Sequence, residues 1–453
     1  MEIDSGRKAA AYPTKNFFVR MITRDIALED SILDLIDNSV DGAWKKEGSR
    51  PSGLAIGPDL SKYRIKIEAF PNKFSISDNC GGMSLDDAVE YAFSFGRREA
   101  DALDDYSIGV YGIGMKRAVF KLGSSIRITS TYSDSAGRTS FQVPIDVRSW
   151  LKSDDPPWDF DISPSSDLDE DGVHIEVEDL NSGAASAFGN PSFIQDLKRA
   201  IARDYSLHLS KGIQVFLNDE KIQGWEIELR ASGDFKPVRI EYEDEVDGEA
   251  VHVELLAGMG APPPDSSDPE ADGGLGRRSG WYIACNGRIV LAADKSSVSG
   301  WGTDDWPQWH RQYDGFLGIV LFSSKKATAL PLTTTKRSVD VASDVYRRAL
   351  PRMREVSKKW ISYTGQRKQA LDRAKELEGN ASPIPIQRIV ANKEVVLPRL
   401  VAQASERMAN INYSVPLAKM RELAAEFGSI NLSYKDVGLK SFQYAYDDLV
   451  EGE

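Results

Sequence analysis

Apolar residues recur at three- and four-residue steps between Ala27 and Ala43: Leu28, Ile32, Leu35, Ile36, Val40 and Ala43 make the stripe of a helix packed on other structure. On the other side, at the same period, fall Asp30, Asp34, Asp37, Asn38 and Asp41. Short acids and amides compete for backbone groups, so four Asp and one Asn in one helix cost stability that Glu and Lys would not. The stripe alone fits either a solvated face or a face turned to a ligand.

Elsewhere in the first half the period falls to two, predicting strands at Tyr63–Phe70, Lys73–Ser77, Ser125–Tyr132, Thr139–Ile145, Val173–Val177 and Gln214–Leu217. Helices are expected over Lys15–Thr23, over Ser84–Phe93 with Ser84 as cap, after Gly114, and over Phe193–Leu209. From about Asn218 a second mixed unit begins, with strands at Val238–Tyr242, Val251–Leu256, Trp281–Cys285, Arg288–Leu291 and Phe316–Phe322. Asn286-Gly287 between two of these is a strong hairpin signal. Helix then runs from about Asp340 to Leu377, is broken over Ser382–Pro385, and resumes over Leu397–Phe427. The chain closes on an aromatic segment, FQYAYDDLV, suited to docking on the body or on a partner.

At 453 residues the chain exceeds one core and implies two or three domains. Its 41% hydrophobic and 28% charged residues are those of a globular protein. The N-terminus lacks a secretory pattern and no run approaches the roughly 20 apolar residues of a membrane span, so a cytoplasmic location is expected. Cys80 and Cys285 are too far apart in sequence for a disulfide framework or a zinc spacing, and His174, His208, His252 and His310 show no paired metal spacing. A net charge of −13 argues against a body coated in phosphate-binding surface. The helix after Asp340 is nevertheless basic, from Arg347 and Arg348 to Arg373 and Lys375, which suits nucleic acid, an acidic partner or simple compensation of the acidic body.

Two further stretches carry chemistry. Strand Lys73–Ser77 runs into Asp78-Asn79-Cys80-Gly81-Gly82-Met83, an acid followed by glycines where backbone can approach a ligand, or a plain turn. Gly109-Val110-Tyr111-Gly112-Ile113-Gly114-Met115-Lys116 then opens a helix, and glycines before a helix N-terminus let amides converge on an anion. It is neither a Walker A loop nor a dinucleotide fingerprint, since no Gly-Lys-Ser/Thr follows and no strand precedes.

In this order the motifs resemble those of the GHKL ATPases, the superfamily of DNA gyrase B, heat-shock chaperones of the ninety-kilodalton class, MutL and histidine kinases, and their wording is most similar to the Microrchidia-like and MutL-like branch. The resemblance spans roughly Ile22 to Arg337. It implies an α+β chain: a Bergerat-type α/β sandwich ATPase domain over 1–217, an α/β transducer domain over 218–345 and a helical region over 346–453. Asn38 matches the amide that ligates Mg²⁺ across the ATP phosphates, a hard cation that wants oxygen ligands. Asp34 stands where the family has its general base, and Asp41 matches the acid after the amide. Asp78 matches the acid that accepts the adenine amino group, with Gly82 and Met83 beside the base. Gly109, Gly112, Ile113, Gly114, Met115 and Lys116 correspond to the lid and the helix start that wrap the phosphates. Lys336 resembles the transducer lysine that reaches the γ-phosphate, and Asn286-Gly287-Arg288 the transducer hairpin.

Three departures stand out: Asp34 replaces the usual Glu, Cys80 the first adenine-motif glycine, and Val173 the Thr of the Gly-Thr pair at Gly172. The implied activity is Mg²⁺-dependent hydrolysis of ATP to ADP and phosphate, with nucleotide-dependent homodimerisation as a switch or a clamp on double-stranded DNA or a partner protein. The shorter Asp34 keeps a rival open, a non-hydrolysing ATP-sensing scaffold. A histidine-kinase role is disfavoured by the lack of a preceding phospho-accepting His hairpin, a chaperone role by the lack of a client-binding segment, and a nuclease role by a tail without a His/Cys/Glu cluster.

Overall fold

The computed structural model describes residues 13–48, 57–94, 106–108, 113–152, 158–265, 274–303, 306–333, 335–401 and 409–451. By its internal contacts the chain divides into one unit up to Val401 and another from Ala402 to Glu453. No helix among the described residues is long and apolar enough to cross a membrane.

The first sheet has eight strands: β1 (Arg64–Phe70), β2 (Lys73–Asp78), β3 (Gly123–Asp134), β4 (Gly137–Asp146), β5 (Ser163–Pro164), β6 (Gly172–Leu180), β7 (Gln214–Leu217) and β8 (Glu220–Lys221), in the order β5-β4-β3-β6-β2-β1-β7-β8. In β1, Ile65, Ile67 and Ala69 turn inward and the alternate residues face solvent, the pattern of a sheet covered on one side. The cover includes helix Leu28–Glu47, helix Gly114–Leu122 and helix Pro191–Asp204, which share one apolar core with the strands.

Helix Leu28–Glu47 has Glu29 and Asp30 in its first turn and Lys45 and Lys46 in its last, the charges that complement its dipole, and Gly48 closes it at φ 62°. Its acidic side is not an open polar face: Asp34 and Asp37 are buried beside Ile32, Leu33 and Ile36, while Asn38 is exposed.

The second sheet, β10 (Val238–Val246), β11 (Glu249–Met259), β12 (Gly280–Cys285), β13 (Arg288–Asp294) and β14 (Phe316–Ser324), runs in the order β10-β11-β14-β12-β13. Helix Asp344–Arg367 covers one face through Tyr346, Met353 and Trp360. The other face meets Leu207, Ile227, Ile386 and Ile389. Asn286 and Gly287 both adopt positive φ (46° and 83°), the backbone of the tight turn that Asn-Gly predicts.

The tail half corrects several expectations. Ser382–Pro385 is a strand, β15, paired antiparallel with β9 (Glu228–Ala231), and of the helix expected over Leu397–Phe427 the described residues are helical only over Leu417–Glu426, after Pro416. Over 84–93, Ser84 does cap a helix, but three residues later it widens into a π turn over Ala88–Ala92. The acidic loop 99–105 lies outside the described residues.

Candidate functional site

Asp34 and Asp37 of helix Leu28–Glu47 meet three cations drawn from distant parts of the chain. Lys336 Nζ lies 3.1 Å from Asp34 Oδ1 and 2.7 Å from Asp37 Oδ2, Arg117 Nη2 lies 2.5 Å from Asp34 Oδ2, and Arg288 Nη1 pairs with Asp37 Oδ2. Tyr205 Oη adds a hydrogen bond to Asp37 Oδ1 at 2.6 Å. Burial works against the charge on Asp37, but Arg288 and Lys336 outweigh it and hold the carboxyl below the ordinary range. Burial likewise opposes the charge on Lys336, and Asp37 and Asp34 overcome it and raise the ammonium.

The pairs divide unevenly. Arg117 and Arg288 each hold one acid, so Lys336, bridging both, is the surplus cation. It is also held in an uncommon conformation: its φ is 55°, which costs a residue with a long side chain about 1 kcal/mol or more. Beside it, Arg337 reaches Glu29, Asp30 and Asp204 and fastens the same loop to the start of the motif helix.

Asp41, one turn past Asn38, holds the segment 106–108. Its carboxylate accepts from Ser107 Oγ (2.8 Å) and Ile108 N (2.9 Å). From the second sheet, Asn286 Nδ2 donates to Ser107 O and Lys325 O accepts from Tyr106 N. Burial, then the neighbouring Asp37, push the Asp41 carboxyl up to about 7.

At the end of β2, Asp78 Oδ2 accepts from Ser39 Oγ at 2.6 Å, and Oδ1 accepts from Cys80 N at 2.9 Å and Val173 N at 3.4 Å. Burial outweighs these bonds and raises its carboxyl. The turn that follows is built for glycine. A Cβ on Gly82, whose φ is 73°, would stand 2.0 Å from Thr131 O, and one on Gly172 would stand 1.9 Å from Asp78 O. Met83 is tied at both backbone ends to Ser130 Oγ. Cys80 packs against Gly42, where a Cβ would lie 3.0 Å from Cys80 O, so the small residue in the helix makes room for the larger one in the turn.

Of the residues expected at a site, Asp34, Asn38, Asp41, Gly114 and Lys336 gather around this helix face; a Cβ on Gly114 would lie 3.7 Å from Asp34 Oδ2. Asp78, Gly82 and Met83 sit at the end of β2, and Asp78 is joined to the helix through Ser39. Ile113 and Met115 flank Gly114 and are half-buried. Lys116 turns away: it is buried and donates to the carbonyl oxygens of Ala92 and Ser94. Gly109 and Gly112 lie outside the described residues. Pattern reading placed Asp37 on the polar face without a role of its own, and gave Arg117, Tyr205, Arg288 and Arg337 no role in a site. The adjacent Lys116-Arg117 and Lys336-Arg337 pairs were visible, but nothing in either says which cation turns inward.

The basic helix is spent mostly on its own surroundings. Arg348 pairs with Asp244, Arg352 lies over the Tyr242 ring, Arg354 over Trp306, Lys359 pairs with Glu394 and Arg367 with Glu378 and Asp265. Glu241, His252 and Glu254 come close enough to share a cation, but Arg239 already stands 2.9 Å from Glu241 and 3.3 Å from Glu254.

The donor set suits a magnesium-bound polyphosphate nucleotide. An exposed amide oxygen at Asn38 can ligate a hard cation, an inner acid at Asp78 can accept from an amine, and Arg117 Nε is buried with no partner among the described residues. Residues 26–171 match the family model described as histidine kinase-, DNA gyrase B- and HSP90-like ATPase. No curated protein matches the chain.

Proposed function

With residues 26–171 an ATPase domain of this GHKL type, we propose that the chain binds ATP through Asn38, Asp78, Gly82 and the helix start at Gly114, and hydrolyses it at Asp34. Asn38 would hold Mg²⁺, which when bound supplies charge neutralisation for the phosphates. The observation that carries the reading is the surplus cation: Lys336 lies between Asp34 and Asp37 and can be withdrawn to a γ-phosphate while Arg117 and Arg288 still balance the two acids. Its departure frees Asp34 Oδ1 to accept a proton from an attacking water. The loop carrying Lys336 and Arg337 belongs to the second sheet's side of the chain, so the exchange couples phosphate contact to that half.

The conformational output we propose is ATP-gated pairing of two chains through their N-terminal regions, where helix Lys15–Arg24 exposes Phe17 and Met21, acting as a switch or clamp on DNA or on a partner protein. Steady-state phosphate release from Mg-ATP tests the chemistry: wild type turns over, and Asp34→Ala and Lys336→Ala each lose about a hundredfold or more. Release that survives both substitutions overturns the assignment. The non-hydrolysing reading has one observation in its favour, the engagement of both Asp34 oxygens by cations, and it is the outcome if ATP binds and no phosphate appears.

A further inference from the structure

Arg117 lies in the first turn of helix Gly114–Leu122, and its backbone N donates to Ile113 O. Its Nη2 lies 2.5 Å from Asp34 Oδ2, and the side chain is only 14% exposed. Its Nε is buried and bonds to nothing among the described residues. A buried donor left empty is costly, so it asks for a partner. Geometry narrows where that partner must sit. A guanidinium presents Nε–H and Nη2–H side by side on one edge, a fork that fits two oxygens at once. Asp34 fills only one prong, because its Oδ1 belongs to Lys336 at 3.1 Å. The empty prong therefore faces the side on which the Asp34 carboxylate lies. The helix start borders the same side, since a Cβ on Gly114 would lie 3.7 Å from Asp34 Oδ2, and its first amides add positive character there.

We propose that Arg117 is a further catalytic residue: Nε donates to an oxygen of the γ-phosphoryl group while Nη2 keeps Asp34, so one guanidinium ties the base to the group under attack. The assignment rests on the ATPase reading above. In the step, the water oxygen bonds to Pγ as the bond from Pγ to the β–γ bridging oxygen breaks. The bridging oxygen leaves on ADP with the electron pair, and the water's proton passes to Asp34 Oδ1. Arg117 makes and breaks no covalent bond; it offsets the charge spread over the phosphoryl oxygens. The short reach of Asp34 is met in the same way, because a shared arginine draws the phosphoryl group toward it. A lysine at 117 would keep the charge and lose the paired donors.

The test is calorimetric titration of Mg-ADP into the full chain and its variants, with and without aluminium fluoride, which mimics the phosphoryl group in transfer. Aluminium fluoride is expected to tighten ADP binding by the wild type about a hundredfold or more. Arg117→Met should lose most of that gain while binding ADP alone within about twofold of wild type, with unchanged far-ultraviolet circular dichroism. Its phosphate release from Mg-ATP should fall about a thousandfold, and Arg117→Lys should not restore it. A residue that only held the acid would lose its effect once the acid is gone. Arg117→Met is therefore also made in Asp34→Ala, where it should still weaken the aluminium fluoride complex about tenfold or more. No further weakening in that background overturns the proposal, as does an Arg117→Met chain that keeps the wild-type gain. A wild type that binds no ADP is a different result: it overturns the ATPase reading, and this assignment with it.

Discussion

Replacing Lys336 with Met should cost little stability and nearly all turnover, and the buried charges say why. Lys336 lies 2.7 Å and 3.1 Å from two carboxylate oxygens, and at an effective dielectric of about 20 each contact is worth about 5–6 kcal/mol before desolvation. Against that stand the desolvation of a buried ammonium, several kcal/mol, and repulsion from Arg288. Removal also leaves two acids with two arginines, each pair already in contact. Because no uncompensated buried charge is left behind, the net loss is expected to stay below that of a broken buried pair, at about 1–2 kcal/mol. Asp37→Asn is the contrasting case, for it leaves three cations around Asp34 alone and strands a fully buried Arg288; about 3–5 kcal/mol is expected. Urea unfolding of wild type and both variants, read by circular dichroism at pH 6 where Asp41 is largely protonated, gives the comparison. If Lys336→Met loses as much stability as Asp37→Asn, Lys336 is a structural member of the cluster and not a withdrawable cation.

Three other outcomes follow from particular contacts. Asp41 titrates at about 7 in the fold against 3.8 for the free side chain, so the folded chain binds the extra proton between those values. Stability from this group therefore falls as pH rises from about 4 to 7, by at most about 4 kcal/mol, and Asp41→Asn should flatten that slope in unfolding measured at pH 5 and pH 8. His208 behaves oppositely: burial depresses it to about 3, so folding loses stability as pH drops below about 6.5, and His208→Gln should shift acid unfolding to lower pH. Gly82→Ala, with its Cβ 2.0 Å from a backbone oxygen, should lower the thermal midpoint sharply, whereas Gly183→Ala, a helical position with nothing within 4 Å, should be neutral or slightly stabilising.

The strands, the Asn-Gly hairpin and the motif helix were legible because each rests on local periodicity or local turn chemistry. The likeness of residues 26–171 to the ATPase family model was legible too, because the motifs are short and carry their spacing with them. What escaped depends on contacts across the chain. Periodicity put Asp34 and Asp37 on a polar side, but that side is covered by Lys336 and Arg288, which stand 302 and 251 residues from the acids they meet. The direction taken by adjacent cations was equally hidden: Lys116 caps carbonyl oxygens while Arg117 reaches the acid. The basic helix looked free for the same reason, since the rings and acids that engage it lie on other elements. Ser382–Pro385 reads as a helix breaker, and only the edge of β9 makes it a strand.

In the function proposed above, this chain holds ATP with Asp78 against the base. Calorimetric titration of Mg-ATP and Mg-GTP into the wild type and Asp78→Asn checks this contact, because binding is read without reference to turnover. Saturable binding of one ATP per chain is expected, with preference over GTP and at least about tenfold weaker ATP binding in Asp78→Asn. Equal affinity for both nucleotides with no effect of the substitution, or no binding at all, would contradict it.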